Sequence, residues 1–589
     1  MVKSITYIVN AVEKEQCIPV QWNDIGVTTF PKNKNKRTLD NQRGIFLSNM
    51  ISKIYEKVKY QLNYSVVSNM SEMQTGGRKE RSSVDNIIIL VSIMEKQRNE
   101  GKRTYIFFAD AVKCFDKLWL KDGLLELRKN GMSEYDIMML YKLNENADIV
   151  IKTPNGYTKS IKVKDTVKQG TTTGPLICCS STVRVNDINE KVGIRYGNHL
   201  EIGMPVFVDD VCAIGCANDI RIGIRNCAAM EEIKKFTYGI EKTKYMVVDT
   251  GKEKEEKIEE RIEAGIVEKT KVYKYMGVML NEKGDLKDHL IYKKNKMIGI
   301  TASIKQIGSD SQVGTEWLKV QLQLYETCLV PSLIYGLEGW PNIKEKEMSQ
   351  LELLQTKHLK SILKLSESTP NVGLLMETGT WPIKERIEYR ILMMYQNLMM
   401  SDDTRIIKLL VKEQKDNNIE RSFYSKTKEI ADFLDINLET VKNKSKFVWK
   451  KECKGKIIKK IENRLKDQLP NCTKLRFLVD DNFGRKRYMK ELSGNIARQV
   501  LKLRLNMIDV RMNYRGSNEG NIKCPLCKTE DDTTEHIMVC GINGDTIQKS
   551  FVKSYDWDAD EWTKVLDIVN LNLSLRNTLD TRVNEIEQL

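Results

Sequence analysis

Two apolar runs in this chain end in acid. Tyr105-Ile-Phe-Phe-Ala-Asp110 reads as a buried strand that delivers a carboxylate at its end, with Ala-Val-Lys-Cys-Phe115-Asp116 entering a turn or helix. Ninety-nine residues later, Met204-Pro-Val-Phe-Val-Asp209-Asp210-Val-Cys-Ala-Ile sets two adjacent acids between apolar runs, a pattern that fits a β-hairpin tip. Burying neighbouring carboxylates costs several kcal/mol per ion unless a cation compensates. Such a pair therefore sits on a surface turn or in a metal site, and the pair alone favours the turn. Hard oxygen ligands select Mg²⁺ or Mn²⁺, and two such ions serve phosphoryl transfer.

The charge supports the metal reading. The 589 residues carry 95 Lys and Arg against 80 Asp and Glu, a formal net charge of +15, which points to a polyanionic partner. Between the acidic sites, Val167-Lys-Gln169-Gly170-Thr-Thr-Thr-Gly174-Pro175 is a glycine-punctuated turn of the kind that lets backbone approach a ligand, although most such stretches are plain loops. The four histidines make serine-hydrolase and multi-histidine metal chemistry poor fits. Thirteen scattered cysteines do not read as a disulfide framework, and no apolar run reaches the roughly 18 residues of a membrane span, so an intracellular protein with reduced thiols is expected.

The length allows about four domain-sized units. Strand-like runs at Arg103 to Ala109, Met204 to Val208, Lys244 to Val248 and Val272 to Leu280 alternate with helical stretches such as Val84 to Gln97, an α+β pattern. From about residue 288 the period becomes helical, with Leu318, Leu322, Tyr325 and Leu329 on one face. Lys442 to Lys466 holds eleven basic and two acidic residues, with Phe447 and Trp449 either stacking on bases or anchoring the helix in a core. A Lys-rich helix is also commonly just a solvated face. Cys524-Pro-Leu-Cys527, His536 and Cys540 offer three thiolates and one imidazole, a donor set that suits one tetrahedral Zn²⁺, against the alternative of reduced core cysteines with a chance histidine.

In order and spacing these segments resemble the reverse transcriptases of non-LTR (LINE-type) retrotransposons. Phe108-Ala-Asp110 to Asp116 is similar to the first palm motif, Gln169-Gly170 to Pro175 to the second, and Phe207-Val-Asp209-Asp210 to the aromatic-x-Asp-Asp signature. Gly239-Ile-Glu-Lys242-Thr-Lys resembles the Lys-Thr segment and Tyr273-Lys-Tyr275-Met276-Gly277-Val the primer-grip strand. Asn41-Gln-Arg43-Gly and Gln74-Thr-Gly-Gly-Arg78 resemble fingers motifs, and Leu324 to Trp340 the thumb.

The resemblance implies an α+β right-hand polymerase: fingers and palm with an antiparallel sheet over 1–287, a helical thumb over 288–400, a basic helical connector over 401–515, a zinc-knuckle-like motif over 516–545 and a tail over 546–589. Asp110 and Asp209 would hold two Mg²⁺ (or Mn²⁺), with Asp210 supporting. Lys242 would protonate pyrophosphate, Arg43 would hold the triphosphate, and Phe115 would exclude a ribose 2′-hydroxyl. Gln169 and Gly170 would contact the incoming nucleotide, and Tyr275, Met276 and Gly277 would grip the primer. Asp116 is expected to cap the following helix. Basic and aromatic groups at Arg485-Lys-Arg487-Tyr488 and Arg511 to Arg515 are expected to anchor template RNA or target DNA.

Two departures stand out: Thr-Thr-Thr-Gly-Pro in the second palm motif, and Gly76-Gly77 where the family commonly has Gly-Phe. Neither removes a charged group. With no nuclease carboxylate cluster visible, the chain reads as a polyprotein fragment or truncated copy whose nuclease lies elsewhere in the element or acts in trans. The expected partners are template RNA, primer or target DNA and dNTPs, with no membrane. The nucleus is expected at the insertion site and the cytoplasm when RNA-bound. An inactive nucleic-acid-binding relic and a group II intron-type maturase are the alternatives.

Overall fold

The computed structural model describes residues 2–31, 38, 41–164, 167–234, 236–248, 254–309, 313–472, 475, 478, 481–510, 522–540 and 557–587, the last segment with side chains to Arg576. The Arg511 to Arg515 cluster lies outside them. The chain forms two compact units: Met1–Leu286 with Gly339–Asn342 and Asn397–Lys426, and Lys287–Glu338 with Ile343–Gln396 and Thr427–Leu589.

The first unit is built on a five-stranded sheet in the order Glu268–Lys269, Lys244–Val248, Thr104–Asp110, Asp210–Gly215, Val206–Phe207. Its centre is Thr104–Asp110, which is buried along its length because it packs on both faces. The helix Ser83–Asn99 explains one cover: Ile87 to Val91 and Ile93 are all at most 2% exposed, so the middle of this helix is apolar nearly all round and lies inside. Asp85 in that helix pairs with Arg405 at 2.6 Å, each 1% exposed, which ties the Asn397–Lys426 segment into the first unit. A second sheet joins Gln42–Leu47, Asp24–Pro31 and Ala147–Thr153, with two short strands beyond.

The run Val272 to Leu280 is not one strand but a hairpin, Val272–Tyr275 against Val278–Asn281. Met276 and Gly277, both at positive φ (46° and 82°), make its two-residue turn, which suits the twist of paired strands. The grip residues Tyr275, Met276 and Gly277 thus sit at a hairpin tip.

The described part of the second unit is helical, apart from the cysteine-bearing turn near residue 524. Leu318, Leu322, Tyr325 and Leu329 are at most 1% exposed, as their spacing predicts. Buried charge also organises this unit. Arg504 bonds both Glu377 and Asp481, Lys486 pairs with Asp481 at 3.1 Å, and Tyr488 donates to Glu377 Oε2 at 2.6 Å. Tyr488 is therefore a core residue, not a surface for nucleic acid, and Arg487 is turned to Glu491. Trp449 is fully buried and donates Nε1–H to Leu392 O at 3.2 Å, so it anchors its helix rather than stacking on bases; Phe447 is 75% exposed.

Candidate active site

Strand register brings the acids together. Asp210 sits opposite Asp110 across the antiparallel pair, and Asp210 opposite Phe207 closes a two-residue turn of Val208 and Asp209. Burial, with Asp110 adding its like charge, pushes the Asp209 carboxyl up to about 6. Burial, a hydrogen bond to Asp110 and the charge of Asp209 push Asp210 up to about 8. Lys242 Nζ lies 2.6 Å from Asp110 Oδ2, a cation standing where the carboxylates call for one. Lys242 is two-thirds exposed. Lys244, two residues on, is engaged by Glu268 at 2.7 Å.

The turn carrying Asp209 is strained. Val208 has φ 61°, a conformation that a β-branched residue avoids and that costs roughly 1–3 kcal/mol. Gln74, fully buried, holds it there: Val208 N donates to Gln74 Oε1 at 2.9 Å, and Gln74 Nε2 donates to Val208 O at 3.3 Å. Thr182 Oγ1 also donates to Val208 O. Gly76 allows this approach, since a Cβ there would lie 2.5 Å from Val208 N. Gly77 has φ 64°, which disfavours the Phe more common in the family. Gln74→Ala should cost about 1–3 kcal/mol through the unpaired Val208 N–H and displace Asp209. Melting temperature and nucleotide incorporation should therefore both fall. A variant with wild-type incorporation would show that the clamp is dispensable.

The Gln169-Gly170 turn is held in a similar way. Phe46 N donates to Gln169 O at 2.8 Å, which docks the turn on the strand bearing Arg43. Arg43 itself is exposed, and its charge reaches Asp209. Gly170 has φ 104°, and a Cβ there would sit 2.9 Å from Phe46 O. Buried Glu56 accepts from Thr172 N at 2.7 Å and from Thr173 N at 3.0 Å. Thr171 Oγ1 bridges Lys168 O and Gly174 N. The three threonines that depart from the family pattern thus build the turn. Phe115 is half-buried on the short helix Cys114–Lys117 after Asp110. Asp116 is exposed and lies within that helix; it does not cap the helix that follows, Leu120–Lys129, whose N-cap is Trp119 with no side-chain bond there.

Sequence reading missed Gln74 and Thr182 as a clamp, and Glu56 as a brace. Glu56 carried a signal, because Ser52, Tyr55, Glu56 and Lys59 put polar groups on the buried face of one helix.

In the second unit, the ligand atoms of Cys524, Cys527, His536 and Cys540 all lie within 4.8 Å of one another, a spacing and donor set that fit tetrahedral Zn²⁺. Lys528, at φ 62°, donates its N–H to Cys524 O at 2.8 Å and forms the knuckle turn. Burial opposes ionisation of Cys527, but hydrogen bonds from Thr529 and Glu530 hold its thiol down to about 6. The described part of the expected tail is a helix, Ala559–Glu587, that packs on this turn. Its Asn572 donates to Ile537 O at 2.7 Å, and Arg576 Nη2 lies 3.6 Å from Cys524 Sγ.

Three carboxylates at adjacent strand ends, braced from beneath and facing a cation, define a polymerase-type palm. Residues 31–280 match the family described as reverse transcriptase (RNA-dependent DNA polymerase). The chain is 20% identical over 377 residues to a probable RNA-directed DNA polymerase from transposon BS of Drosophila melanogaster, covering 61% of this chain and 41% of that protein. The apo telomerase of Candida tropicalis (12% identity, TM-score 0.34) covers 76% of this chain and 74% of its own. The telomerase of Candida albicans in complex with a telomeric RNA fragment (11%, TM-score 0.30) covers 67% and 65%. Residues 31–280 are thus similar to reverse transcriptases, and the chain spans less than half the length of the transposon relative it matches. No described helix is long and apolar enough to cross a membrane.

Proposed function

We propose that this chain is an RNA-directed DNA polymerase that extends a DNA 3′ end on an RNA template. The observation that carries this is the meeting of Asp110, Asp209 and Asp210 at paired strand ends inside the matched domain. Buried acids with raised pKa values are a fit for divalent cations. Two Mg²⁺ or Mn²⁺ held by Asp110 and Asp209, with Asp210 beside them, supply activation of the primer hydroxyl and charge neutralisation at the leaving pyrophosphate. Lys242, released from Asp110, donates a proton to the pyrophosphate, and Arg43 binds the triphosphate. Gln169 and Gly170 position the incoming nucleotide on a turn fixed by Glu56, while Tyr275, Met276 and Gly277 support the primer end. The second unit serves as most of the thumb and basic connector and as the zinc-bearing end, while Asn397–Lys426, mostly in the expected connector region, belongs to the first unit. The enzyme acts in the nucleus at the insertion site and resides in the cytoplasm when bound to its RNA.

Primer extension on poly(rA)/oligo(dT) with Mg²⁺ tests the reading, and no incorporation by the wild type would end it. Phe115 takes the place beneath the sugar, so Phe115→Val should raise ribonucleotide incorporation roughly tenfold or more relative to dNTPs, the scale of discrimination that one pocket contact supplies. An unchanged ratio would remove Phe115 as the sugar gate.

A further inference from the structure

The second unit has a cleft of about 390 Å³ whose chemistry the polymerase reading does not use. Trp381 and Tyr389 line it, their rings edge to face at 5.6 Å and 77°. Both rings are only half-buried. Trp381 is rigidly presented. Its carbonyl accepts from the buried Gln355 Nε2 at 2.7 Å and from Arg386 Nε at 2.9 Å, and Gln355 Oε1 takes the N–H of Ile383. Gly379, at φ 64°, turns the chain so closely against the next wall that a Cβ would lie 2.3 Å from Arg485 N.

The charge around these rings is unbalanced. Arg386 is matched by Glu326 at 2.7 Å and Arg390 by Glu338 at 2.5 Å. Lys450, Lys454 and Arg485 also line the cleft, and among the described residues no carboxylate pairs with them. Lys450 and Lys454 stand one turn apart on the helix Lys446–Gln468, where like charges repel. On the same helix Lys456, Lys460 and Arg464 each have an acidic partner. A neighbouring cleft of about 340 Å³ shares Glu326 and Arg485 and extends the basic surface to Lys319 and Lys490.

We infer that this cleft binds an unpaired stretch of nucleic acid, with one base stacked on Trp381 and the flanking phosphates on Lys450, Lys454 and Arg485. An aromatic face set in a cationic cleft serves an unpaired base, because the faces of a paired base are already occupied by its neighbours. The continuation toward Lys490 gives the strand a path beyond one nucleotide, which a free nucleotide would not use. The site lies outside the catalytic unit and stands independently of polymerase activity.

Fluorescence anisotropy of the full chain with labelled rU12, dT12 and a 20-base-pair duplex tests it. Trp381→Ala should weaken single-strand binding roughly tenfold and leave duplex binding unchanged. Trp381→Phe should restore most of the loss, which separates stacking from folding. Lys450→Ala with Lys454→Ala should flatten the single-strand salt slope by about 1.4, near 0.7 per lost phosphate contact. The difference between rU12 and dT12 reports which sugar the strand carries. Undiminished single-strand affinity in Trp381→Ala would overturn the proposal, as would equal losses for strand and duplex. So would competition by free UMP as effective, per nucleotide, as by rU12. Extension on saturating poly(rA)/oligo(dT) would persist in these variants if catalysis is intact, so failure of this site and failure of the polymerase reading give different results.

Discussion

Asp209→Asn is expected to abolish nucleotide incorporation while leaving the metal-free protein more stable than the wild type. Both effects come from one cause. Burial beside Asp110 raises the Asp209 carboxyl from 3.8 to about 6, so at neutral pH the folded, metal-free chain carries a charge that its surroundings disfavour. Each unit corresponds to 1.36 kcal/mol, which puts the penalty at about 1–3 kcal/mol. The sign follows from proton binding. Between 3.8 and about 6 the folded state holds a proton that the unfolded state has lost, so stability falls as pH rises through this window and stays low above it. The neutral amide carries no such penalty.

In EDTA at pH 8 the variant should therefore melt above the wild type, and the gap should narrow as pH drops from about 6 toward 4. Adding Mg²⁺ should stabilise the wild type and leave the variant nearly unmoved, since the amide is a poor ligand for a hard cation. Incorporation should fall roughly 10³-fold or more, the scale of losing several kcal/mol of transition-state charge stabilisation. Undiminished incorporation would remove Asp209 from the catalytic site. A variant that melts below the wild type in EDTA would show that the carboxylate is satisfied by protein groups alone.

The acids were legible because their signal is local: an apolar run, a charge, a turn. The same holds for the strand Lys244–Val248, whose bounds match the sequence pattern, and for the helix Ser83–Asn99. What holds the acids in place was not legible, because it is long-range. Gln74 reaches Val208 across 134 positions, and Glu56 reaches Thr172 across 116. No period or motif encodes such a pairing, and only the polar residues on a buried helix face hinted at the second. Aromatics beside lysines were left open or misread for a related reason. Trp449 and Tyr488 sit in basic stretches, yet each ring points into a core and satisfies its polar atom there. Trp381 and Tyr389, which do face a cationic cleft, lie in a segment of ordinary charge; the lysines beside them come from a helix some 60 positions on.

The second large effect belongs to the cysteine turn. Three thiolates and a neutral imidazole around Zn²⁺ would leave one net negative charge, and Arg576, 5% exposed, lies against Cys524 Sγ and pairs with Asp532 at 2.5 Å. The helix that carries Arg576 is thus fastened to the cysteine turn by charge as well as by the Asn572 bonds. Structural zinc contributes folding free energy outright, about 10 kcal/mol or more in isolated finger peptides, and a turn as short as 522–540 has little apolar core to replace it. Cys524→Ser with Cys527→Ser should lower bound zinc from one equivalent to none. Amides of residues 522–540 and 559–576 should then exchange with solvent many-fold faster, while those of Thr104–Asp110 keep their protection because the palm strand belongs to the other compact unit. Arg576→Met should keep the zinc but loosen the helix, because it removes the compensating charge and not a ligand. One equivalent of zinc surviving the double substitution would refute this ligand set, and unchanged exchange after metal loss would show that the turn folds without it.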